Sequence, residues 1–368
     1  MATILLAEEE DPWYTGGVKE QSYGRIIVRM PNWVGDIVMA TPVLALLKKA
    51  YPEASLTAMM RRGTSALLQH DPALDDLLPF TKGADERDRI ERLRRNNYDL
   101  GILLTGSFSS AWLFWQGRVR NTYGFRKDGR RLLMHRSVPL PKQTQHLVLT
   151  YQSLLHPLGI RESKSLPPHL YVTYEEKVKA RQYLEEASTS IRSLPFASLK
   201  WIGISPSAAY GPAKCWLPER FREVIDKVLD TDPSHVVLVF GDTAHERQAD
   251  YLCAPFAERV INLAGRTDLR RFMALISLCS VVLTNDSGPM HIADALHVPL
   301  VALFGSTDPS VTGPYGQPDA VLRKPVFCSP CFKRICPIDF RCMKGITVEE
   351  VTKRILSILR RTDRTDGT

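Results

Sequence analysis

The segment NDSGPMH, Asn285 to His291, combines residue types that bind an anion at the start of a helix. An apolar strand-like run precedes it and an apolar helix-like run follows it, which predicts a turn between a strand and a helix. Gly288 lets the backbone approach a ligand, Ser287 can cap the helix, and the amide N–H groups favour a diphosphate. Asp286 and His291 add a carboxylate and an imidazole. A simple helix cap and a satisfied histidine would explain the same residues, so this site needs support from other segments.

Three other turns carry polar residues where ligands bind open parallel sheets, beyond the carboxyl ends of the strands. In PNWVGD, Asp36 can accept a proton from a bound hydroxyl or merely cap a helix. In SAAYGPAKCWLP, Lys214 can neutralise phosphate oxygens or remain a solvated lysine. In GDTAHERQ, Glu246 can accept two ribose hydroxyl hydrogen bonds or simply favour the first turn of a helix. A Walker A loop and a complete GxGxxG are both missing after these strands, which argues against a dinucleotide-dependent enzyme.

Short β-rich runs alternate with helical segments along the chain, as a parallel α/β architecture requires. Nine runs are predicted strands: 25–30, 55–60, 99–104, 121–125, 201–206, 235–240, 260–263, 280–285 and 300–305. Small polar residues and Pro195 between the two halves predict a connector. The sequence therefore predicts two Rossmann-like domains that face a cleft.

The domain organisation follows from these elements and from the two ends of the chain. Residues 1–24 show neither helical nor strand periodicity, and Thr347 and Glu350 form a capping box before a last amphipathic helix. The predicted units are an N-terminal extension at 1–24, a first domain at 25–185, a linker at 186–200, a second domain with a cysteine-rich tail at 201–346, and a C-terminal helical segment at 347–368.

The composition is that of a globular cytoplasmic protein, with 44% hydrophobic and 24% charged residues and neither a long apolar run nor a signal-peptide pattern. A net charge of +8 indicates affinity for anions. The positive charge is concentrated between residues 118 and 136, where Asp128 is the one acidic residue. The seven basic residues in this segment are Arg118, Arg120, Arg126, Lys127, Arg130, Arg131 and Arg136.

Aromatic residues stand directly before this basic segment: Phe108, Trp112, Phe114 and Trp115. Aromatic rings beside basic residues suit the surface of an anionic membrane, where each Lys or Arg contributes roughly 1 kcal/mol. The alternative is a helix that packs its rings into the core, followed by a solvated loop. Nucleic-acid binding is the weaker interpretation, because the chain has no recognition motif for it.

Four spaced segments resemble the bacterial ADP-heptose:lipopolysaccharide heptosyltransferases of glycosyltransferase family 9, and within them the heptosyltransferase II branch. They are PNWVGDIVMATP (31–42), SPSAAYGPAKCW (205–216), TNDSGPMHIADALHVPLVALFGSTDP (284–309) and TGPYG (312–316). The resemblance extends from Arg25 to about Val351. It implies the GT-B fold, with the C-terminal helix returning to the first domain. It also implies an inverting transfer of heptose from ADP-heptose without a catalytic metal or other cofactor.

The resemblance also implies roles for individual residues. Asp36 is the general base toward the acceptor hydroxyl, and Lys214 with the helix N-terminus at Ser287 and Gly288 stabilises the departing ADP. Glu246 contacts the ribose. The remaining donor-site residues are Ser207, Thr267, Asp286 and His291.

On the acceptor side, the implied partner is a phosphorylated heptosyl-Kdo-lipid A at the cytoplasmic face of the inner membrane. The residues expected to face this acceptor and the membrane are Trp33, Arg118, Arg120, Arg126, Arg130 and Arg131. The chain departs from the family pattern at Ser207 and Cys215, where a glycine and a basic residue are usual. We therefore expect donor affinity to differ from that of the family.

Four of the seven cysteines cluster in CSPCFKRICPIDFRC: Cys328, Cys331, Cys336 and Cys342. The first CxxC permits tetrahedral zinc, but no second tight pair follows it. Partly buried thiols, a metal site and disulfides stay open as interpretations of this cluster, although a cytoplasmic chain keeps thiols reduced.

Two alternatives for the function of the chain also remain, namely a related glycosyltransferase with another donor or core acceptor, and an inactive module that binds a nucleotide sugar.

Overall fold

The structure is a computed structural model that describes residues 22–83, 86–187, 195–256 and 259–365. Residues 1–21 of the predicted extension and residues 188–194 of the predicted linker lie outside the described residues.

The first domain is built on six parallel strands. They are β1 (Arg25–Arg29), β2 (Ser55–Arg61), β3 (Asp76–Phe80), β4 (Leu100–Leu103), β5 (Asn121–Phe125) and β6 (Arg136–Val138). The helices in this part of the chain are α1 (Val34–Ala50), α2 (Glu86–Asn96), α3 (Phe108–Gln116) and α4 (Leu147–Ser153). The strand order is β3-β2-β1-β4-β5-β6, which is that of a doubly wound nucleotide-binding sheet.

The second domain repeats this order as β12-β11-β10-β7-β8-β9. Its strands are β7 (Lys200–Ser205), β8 (His235–Val239), β9 (Val260–Asn262), β10 (Val281–Asn285), β11 (Leu300–Phe304) and β12 (Val321–Arg323). The helices in this half are α5 (Tyr174–Ala187), α6 (Pro218–Thr231), α7 (Glu246–Cys253), α8 (Leu269–Ser277), α9 (Gly288–Ala295), α10 (Pro309–Thr312), α11 (Arg341–Lys344) and α12 (Val348–Thr365). The predicted GT-B architecture of two Rossmann-like domains is confirmed.

All nine predicted strands are present in the structure. They could be predicted because strands covered by helices on both faces consist of nearly continuous apolar runs. Strands β3, β6 and β12, which lie at the edges of the sheets, are absent from the sequence-based prediction. Pro79 interrupts β3, and the other two strands have three residues each that are partly exposed, so their apolar signal is weak.

The predicted return of the last helix to the first domain is wrong. Helix α12 packs on α6 and on strands β10 and β11 of the second domain. Its buried residues Val351 and Ile355 lie in one apolar cluster with Phe221 and Val224 of α6. An amphipathic helix can bury its apolar face against any matching apolar stripe, and α6 supplies such a stripe within the second domain.

Helix α5 makes the crossing between the domains, earlier in the chain than the predicted boundary near residue 185. It packs on α8 of the second domain. Arg270 of α8 and Glu176 of α5 form an ion pair at 2.6 Å, and the backbone N–H of Leu170 donates to Ala295 O at 3.2 Å. Among the described helices, none is both long and apolar enough to cross a membrane.

Candidate active site

Two helix N-termini, those of α1 and α9, meet at the junction of the domains. Each begins just after the carboxyl end of a central strand, and each has a glycine where it approaches the other helix most closely. A Cβ on Gly35 would lie 2.6 Å from Cδ2 of His291, and a Cβ on Gly288 would lie 3.0 Å from Cγ1 of Val34. The glycines of the two motifs therefore serve the same close contact between the domains.

This contact predicts the effect of enlarging Gly35. We expect Gly35→Ala to displace His291 or separate the two helices, and to destabilise the fold by about 1–3 kcal/mol, as overpacking does. The matched control is Gly63→Ala, since a Cβ there meets nothing within 4 Å. Thermal unfolding and donor affinity measured on both variants check this, and equal behaviour of the two would show that the contact is not tight.

Neither helix is capped by a side chain at its N-terminus. The N-cap residues are Trp33 and Ser287, and neither makes a side-chain capping hydrogen bond. The expectation that Ser287 caps α9 is therefore wrong, because its hydroxyl donates to Asn285 O at 3.3 Å instead. Pro289 has no N–H and the N–H of Met290 donates to Ser287 O at 3.1 Å, so the N–H of Gly288 and the helix dipole are what the described part of α9 offers to an anionic ligand.

Lys214 and Asp286 form an ion pair at 2.6 Å, with the two side chains 13% and 3% exposed. Thr307 Oγ1 donates to the same carboxylate oxygen at 2.5 Å. Asn285 holds the loop of Lys214 in place, since its Oδ1 accepts from the backbone N–H of Trp216 at 3.0 Å. The NDSG turn thereby sets the position of the lysine as well as that of the carboxylate.

Asp36 lies in the first turn of α1, opposite this ion pair. Burial raises the pKa of its carboxyl group to about 6, and the positive charge of Lys214 opposes that rise. Within the described ranges the carboxylate accepts no hydrogen bond, so Asp36 does not cap the helix. A partly buried carboxylate with a raised pKa is a better proton acceptor than an ordinary aspartate.

His291 is 5% exposed and packs against Gly35, the residue before Asp36. Burial lowers the pKa of its imidazole to about 4, the charge of Lys214 also lowers it, and Asp286 opposes the change. The ring is therefore neutral at neutral pH and can donate one hydrogen bond and accept one.

The predicted donor residues follow four strands of the second sheet. Ser207 follows β7, Glu246 begins α7 after β8, Thr267 follows β9, and Asp286 follows β10. The exposed carboxylate of Glu246 lies over Gly265, so a Cβ at that residue would clash with Oε1 of Glu246. Gly265 has φ +67°, in the left-handed region that favours glycine. The sheet thus brings these residues to the same edge as the NDSG turn.

His146 links the two domains and is absent from the residues predicted from the sequence. Its Nδ1 accepts from the N–H of Val148 at 3.2 Å, so Nε2 carries the proton and donates to Gly313 O of the TGPYG segment at 3.1 Å. The ring centroids of His146 and Tyr315 are 4.9 Å apart. Asp294 of α9 accepts from the N–H of Gly316 at 2.9 Å, so the TGPYG segment is tied to both domains. The position of His146 directly before a helix was the available sequence signal.

Three of the residues expected on the acceptor side lie at the carboxyl edge of the first sheet. Trp33 is 62% exposed beside the cleft, and Arg126 and Arg131 are exposed in the segment after β5.

The other three arginines of this set do not lie exposed at that edge. Arg130 is fully buried, and its guanidinium donates to the backbone carbonyls of Phe125 and Thr105, which fixes the loop after β5. Arg118 and Arg120 precede β5 and lie at the opposite edge of the sheet, where Arg120 pairs with Asp99 at 3.3 Å. Charge density alone does not show at which edge a residue lies.

The aromatic residues of helix α3 divide between the core and the surface, as the two interpretations of this segment predict. Phe114 is fully buried, whereas Phe108, Trp112 and Trp115 are 47%, 37% and 54% exposed. The exposed rings are stacked, with centroids 6.3 Å and 5.0 Å apart along the helix. We call these three rings the aromatic face of α3.

The cysteines of the C-terminal cluster are free thiols in the structure: Cys328, Cys331, Cys336 and Cys342. In the part of the chain that the structure describes, no group of three His, Cys, Asp or Glu residues is arranged to hold a metal ion.

Known proteins match most of this chain. Residues 87–340 match the model of glycosyltransferase family 9 (heptosyltransferase). Lipopolysaccharide heptosyltransferase 2 of Salmonella typhimurium is 32% identical over 81% of this chain and 88% of its own length. The Escherichia coli protein of the same name is 31% identical over the same shares. The solved structure of E. coli ADP-heptose lps heptosyltransferase II superposes with a TM-score of 0.78 at 26% identity, covering 92% of this chain and 99% of that one.

Proposed function

The chain belongs to glycosyltransferase family 9, the heptosyltransferase family, and on that premise we propose that it transfers heptose from ADP-L-glycero-D-manno-heptose to the first heptose of the lipopolysaccharide inner core. The names of its relatives support this reaction. The observation that carries the proposal is the junction itself, where the Lys214–Asp286 ion pair and the uncapped N-terminus of α9 lie opposite Asp36.

The donor would bind along the carboxyl edge of the second sheet. Glu246 would accept hydrogen bonds from the ribose, and Ser207 and Thr267, which follow the neighbouring strands β7 and β9, would contact the nucleotide. The diphosphate would lie on the first turn of α9, within reach of Lys214. The Lys214 side chain is 13% exposed, and a lysine shielded from solvent stabilises an anion more strongly than an exposed one because the local dielectric is lower.

The chemistry would follow from Asp36 and from the charges opposite it. The acceptor hydroxyl oxygen forms a bond to the anomeric carbon, the bond from that carbon to the phosphate oxygen breaks, and the hydroxyl proton passes to Asp36. Attack from the face opposite the leaving group inverts the anomeric configuration. Lys214 and the α9 dipole stabilise the charge that develops on ADP, and His291 can donate a hydrogen bond beside it.

A panel of acceptors tests this proposal. Lipid A core acceptors with no heptose, one heptose or two heptoses are incubated with ADP-heptose, and the products are weighed by mass spectrometry. We expect the mass of one heptose to be added to the one-heptose acceptor alone. Transfer to one of the other two would assign the chain to a different step of core assembly, and loss of donor without a heptosylated product would contradict transfer to this core.

We further propose that the protein works at a membrane surface, with the aromatic face of α3 in contact with anionic lipid. The stacked rings are exposed beside the segment that carries Arg126 and Arg131, and only Asp128 opposes these charges locally. An exposed apolar face of this kind lies at the head-group level, where its neighbouring cations meet anionic lipid.

A flotation experiment checks the membrane contact. We expect the Trp112→Ala/Trp115→Ala variant to bind phosphatidylglycerol-containing vesicles at least about tenfold more weakly than the unmodified protein, since two interfacial rings are lost. The control is Tyr174→Ala/Tyr251→Ala, which removes two other exposed rings, 84% and 40% accessible. Equal binding of both variants would place the contact elsewhere.

A further inference from the structure

The cysteine-rich segment, residues 328–342, takes no part in the chemistry proposed above, yet it packs against the loop that carries Lys214. The backbone carbonyl of Arg334 accepts from the N–H of Ala213, the residue before Lys214, at 3.0 Å. Lys214 itself is held in the ion pair with Asp286. The segment therefore contacts one side of this ion pair through its backbone.

The same segment packs on the loop that supports the other side of the ion pair. The backbone N–H groups of Cys331 and Phe332 both donate to Ser306 O, at 3.0 Å and 2.7 Å. Ser306 directly precedes Thr307, whose hydroxyl donates to the Asp286 carboxylate. The cysteine-rich segment thus connects the two loops between which the ion pair lies.

Tyr210, four residues before Lys214, connects the segment to the lysine side chain. Its hydroxyl donates to the carbonyl of Phe332 at 2.7 Å. Its ring contacts two cations, since Nζ of Lys214 lies 4.8 Å and Cζ of Arg334 lies 5.2 Å from the ring centroid. Tyr210 therefore contacts the segment through its hydroxyl and the lysine through its ring.

An aromatic ring is a suitable support for a lysine that also binds a phosphate. The face of the ring attracts the ammonium group but carries no formal charge, so the cation keeps its charge for an anionic ligand. A free lysine side chain has large rotational freedom, which opposes binding unless neighbouring groups restrict it beforehand. Contact with the Tyr210 ring therefore prepares Lys214 for a diphosphate.

We propose that Tyr210 is a positioning residue for Lys214, and that the cysteine-rich segment is a brace that fixes Tyr210 and the Lys214 loop for the diphosphate of the donor. This role rests on the donor site proposed above. The brace acts through the backbone groups of Phe332 and Arg334 and through the Arg334 guanidinium, and the thiols of the segment make none of these contacts.

Equilibrium binding of ADP tests the role of the Tyr210 ring. We expect Tyr210→Leu to weaken ADP binding by roughly 5- to 30-fold, because a cation–π contact is lost, and Tyr210→Phe to stay within about twofold of the unmodified protein, because it keeps the ring. The matched control is Tyr251→Leu, since Tyr251 is 40% exposed against 36% for Tyr210 and its ring contacts Arg222 at 5.0 Å. An equal loss of ADP affinity in Tyr251→Leu and Tyr210→Leu would overturn the proposal.

A double-variant cycle separates the positioning of Lys214 from a general effect on the fold. In the Lys214→Met background the ammonium group is absent, so the addition of Tyr210→Leu should weaken ADP binding no further. A residue that only stabilised the loop, or that contacted the nucleotide itself, would lower the affinity equally in both backgrounds. That result would remove Tyr210 from the positioning role.

The brace is tested at Phe332, whose φ of +55° lies in the left-handed region. Proline has no N–H and fixes φ at about −65°, so Phe332→Pro breaks the hydrogen bond to Ser306 and displaces the carbonyl that Tyr210 contacts. We expect this variant to weaken ADP binding as much as Tyr210→Leu does. Phe332→Gly keeps the backbone contacts, removes only a ring that is 56% exposed, and should bind ADP like the unmodified protein. Full ADP affinity in Phe332→Pro, or an equal loss in both variants, would contradict the brace.

ADP binding needs neither an acceptor nor turnover, so the brace and the proposed reaction can fail separately. The expected ADP affinities without any heptosyl transfer would support the brace and contradict the reaction. Heptosyl transfer with an ADP affinity that Tyr210→Leu leaves unchanged would support the reaction and contradict the brace.

Discussion

Replacement of Asp36 by alanine is expected to lower kcat by about 10²- to 10⁴-fold, the usual contribution of a general base. Affinity for ADP-heptose should change little, because the carboxylate acts on the acceptor hydroxyl and lies in the other domain from the donor residues. Steady-state ADP release and equilibrium binding of the donor measure the two quantities. Asp36→Asn is the matched control for shape, since it removes the basicity and keeps the volume.

The pH dependence gives a second check on the same residue. The pKa of Asp36 is raised to about 6, so the carboxylate is protonated and inactive as a base below that pH and is available above it. We expect kcat/KM to rise with pH through about 6, and we expect this limb to vanish in the residual activity of Asp36→Asn. Unchanged turnover in either variant would remove Asp36 from the role of base.

Replacement of Lys214 by alanine is expected to weaken ADP binding and to lower turnover, each by roughly 10- to 100-fold, since the charge meets the diphosphate in the ground state and in the transition state. This variant should also be less stable, because Asp286 is 3% exposed and would lose its partner. Breaking a buried pair in this way costs about 3–5 kcal/mol.

A double variant separates binding from stability at this pair. In Lys214→Met/Asp286→Asn both charges are absent, so most of the stability should return while ADP affinity stays low. Calorimetry of ADP binding and thermal unfolding distinguish the two effects. Lys353→Ala, on α12 and remote from the cleft, controls for net charge. ADP affinity that survives Lys214→Ala would place the lysine outside the donor site.

The residues that could be predicted from the sequence are those whose position follows from local structure. Asp36, Lys214, Glu246 and Asp286 each follow a buried strand closely, and the carboxyl ends of parallel strands meet at one edge. Alternating apolar runs and helical segments therefore indicated the two sheets and most of the candidate site together.

The features of the fold and the site that were not predicted depend on contacts between segments distant in the chain. No local sequence pattern indicates such contacts. The role of His146 depends on the carbonyl of Gly313, which lies far along the chain. Arg118 and Arg130 share the same basic run, yet one lies at the far edge of the sheet and the other is buried. The apolar face of α12 likewise does not reveal which domain it packs against.

We propose above all that this cleft transfers a heptose from ADP-heptose to an acceptor without a divalent cation. The most direct measurement is ADP release by protein treated with a chelator and supplied with ADP-heptose and a lipid A core acceptor that ends in one heptose. We predict ADP formation that requires this acceptor, survives chelation and is lost in Asp36→Asn. Tight binding of ADP-heptose without any ADP release, with and without added divalent cation, would contradict the account and identify the chain as a nucleotide-sugar-binding protein.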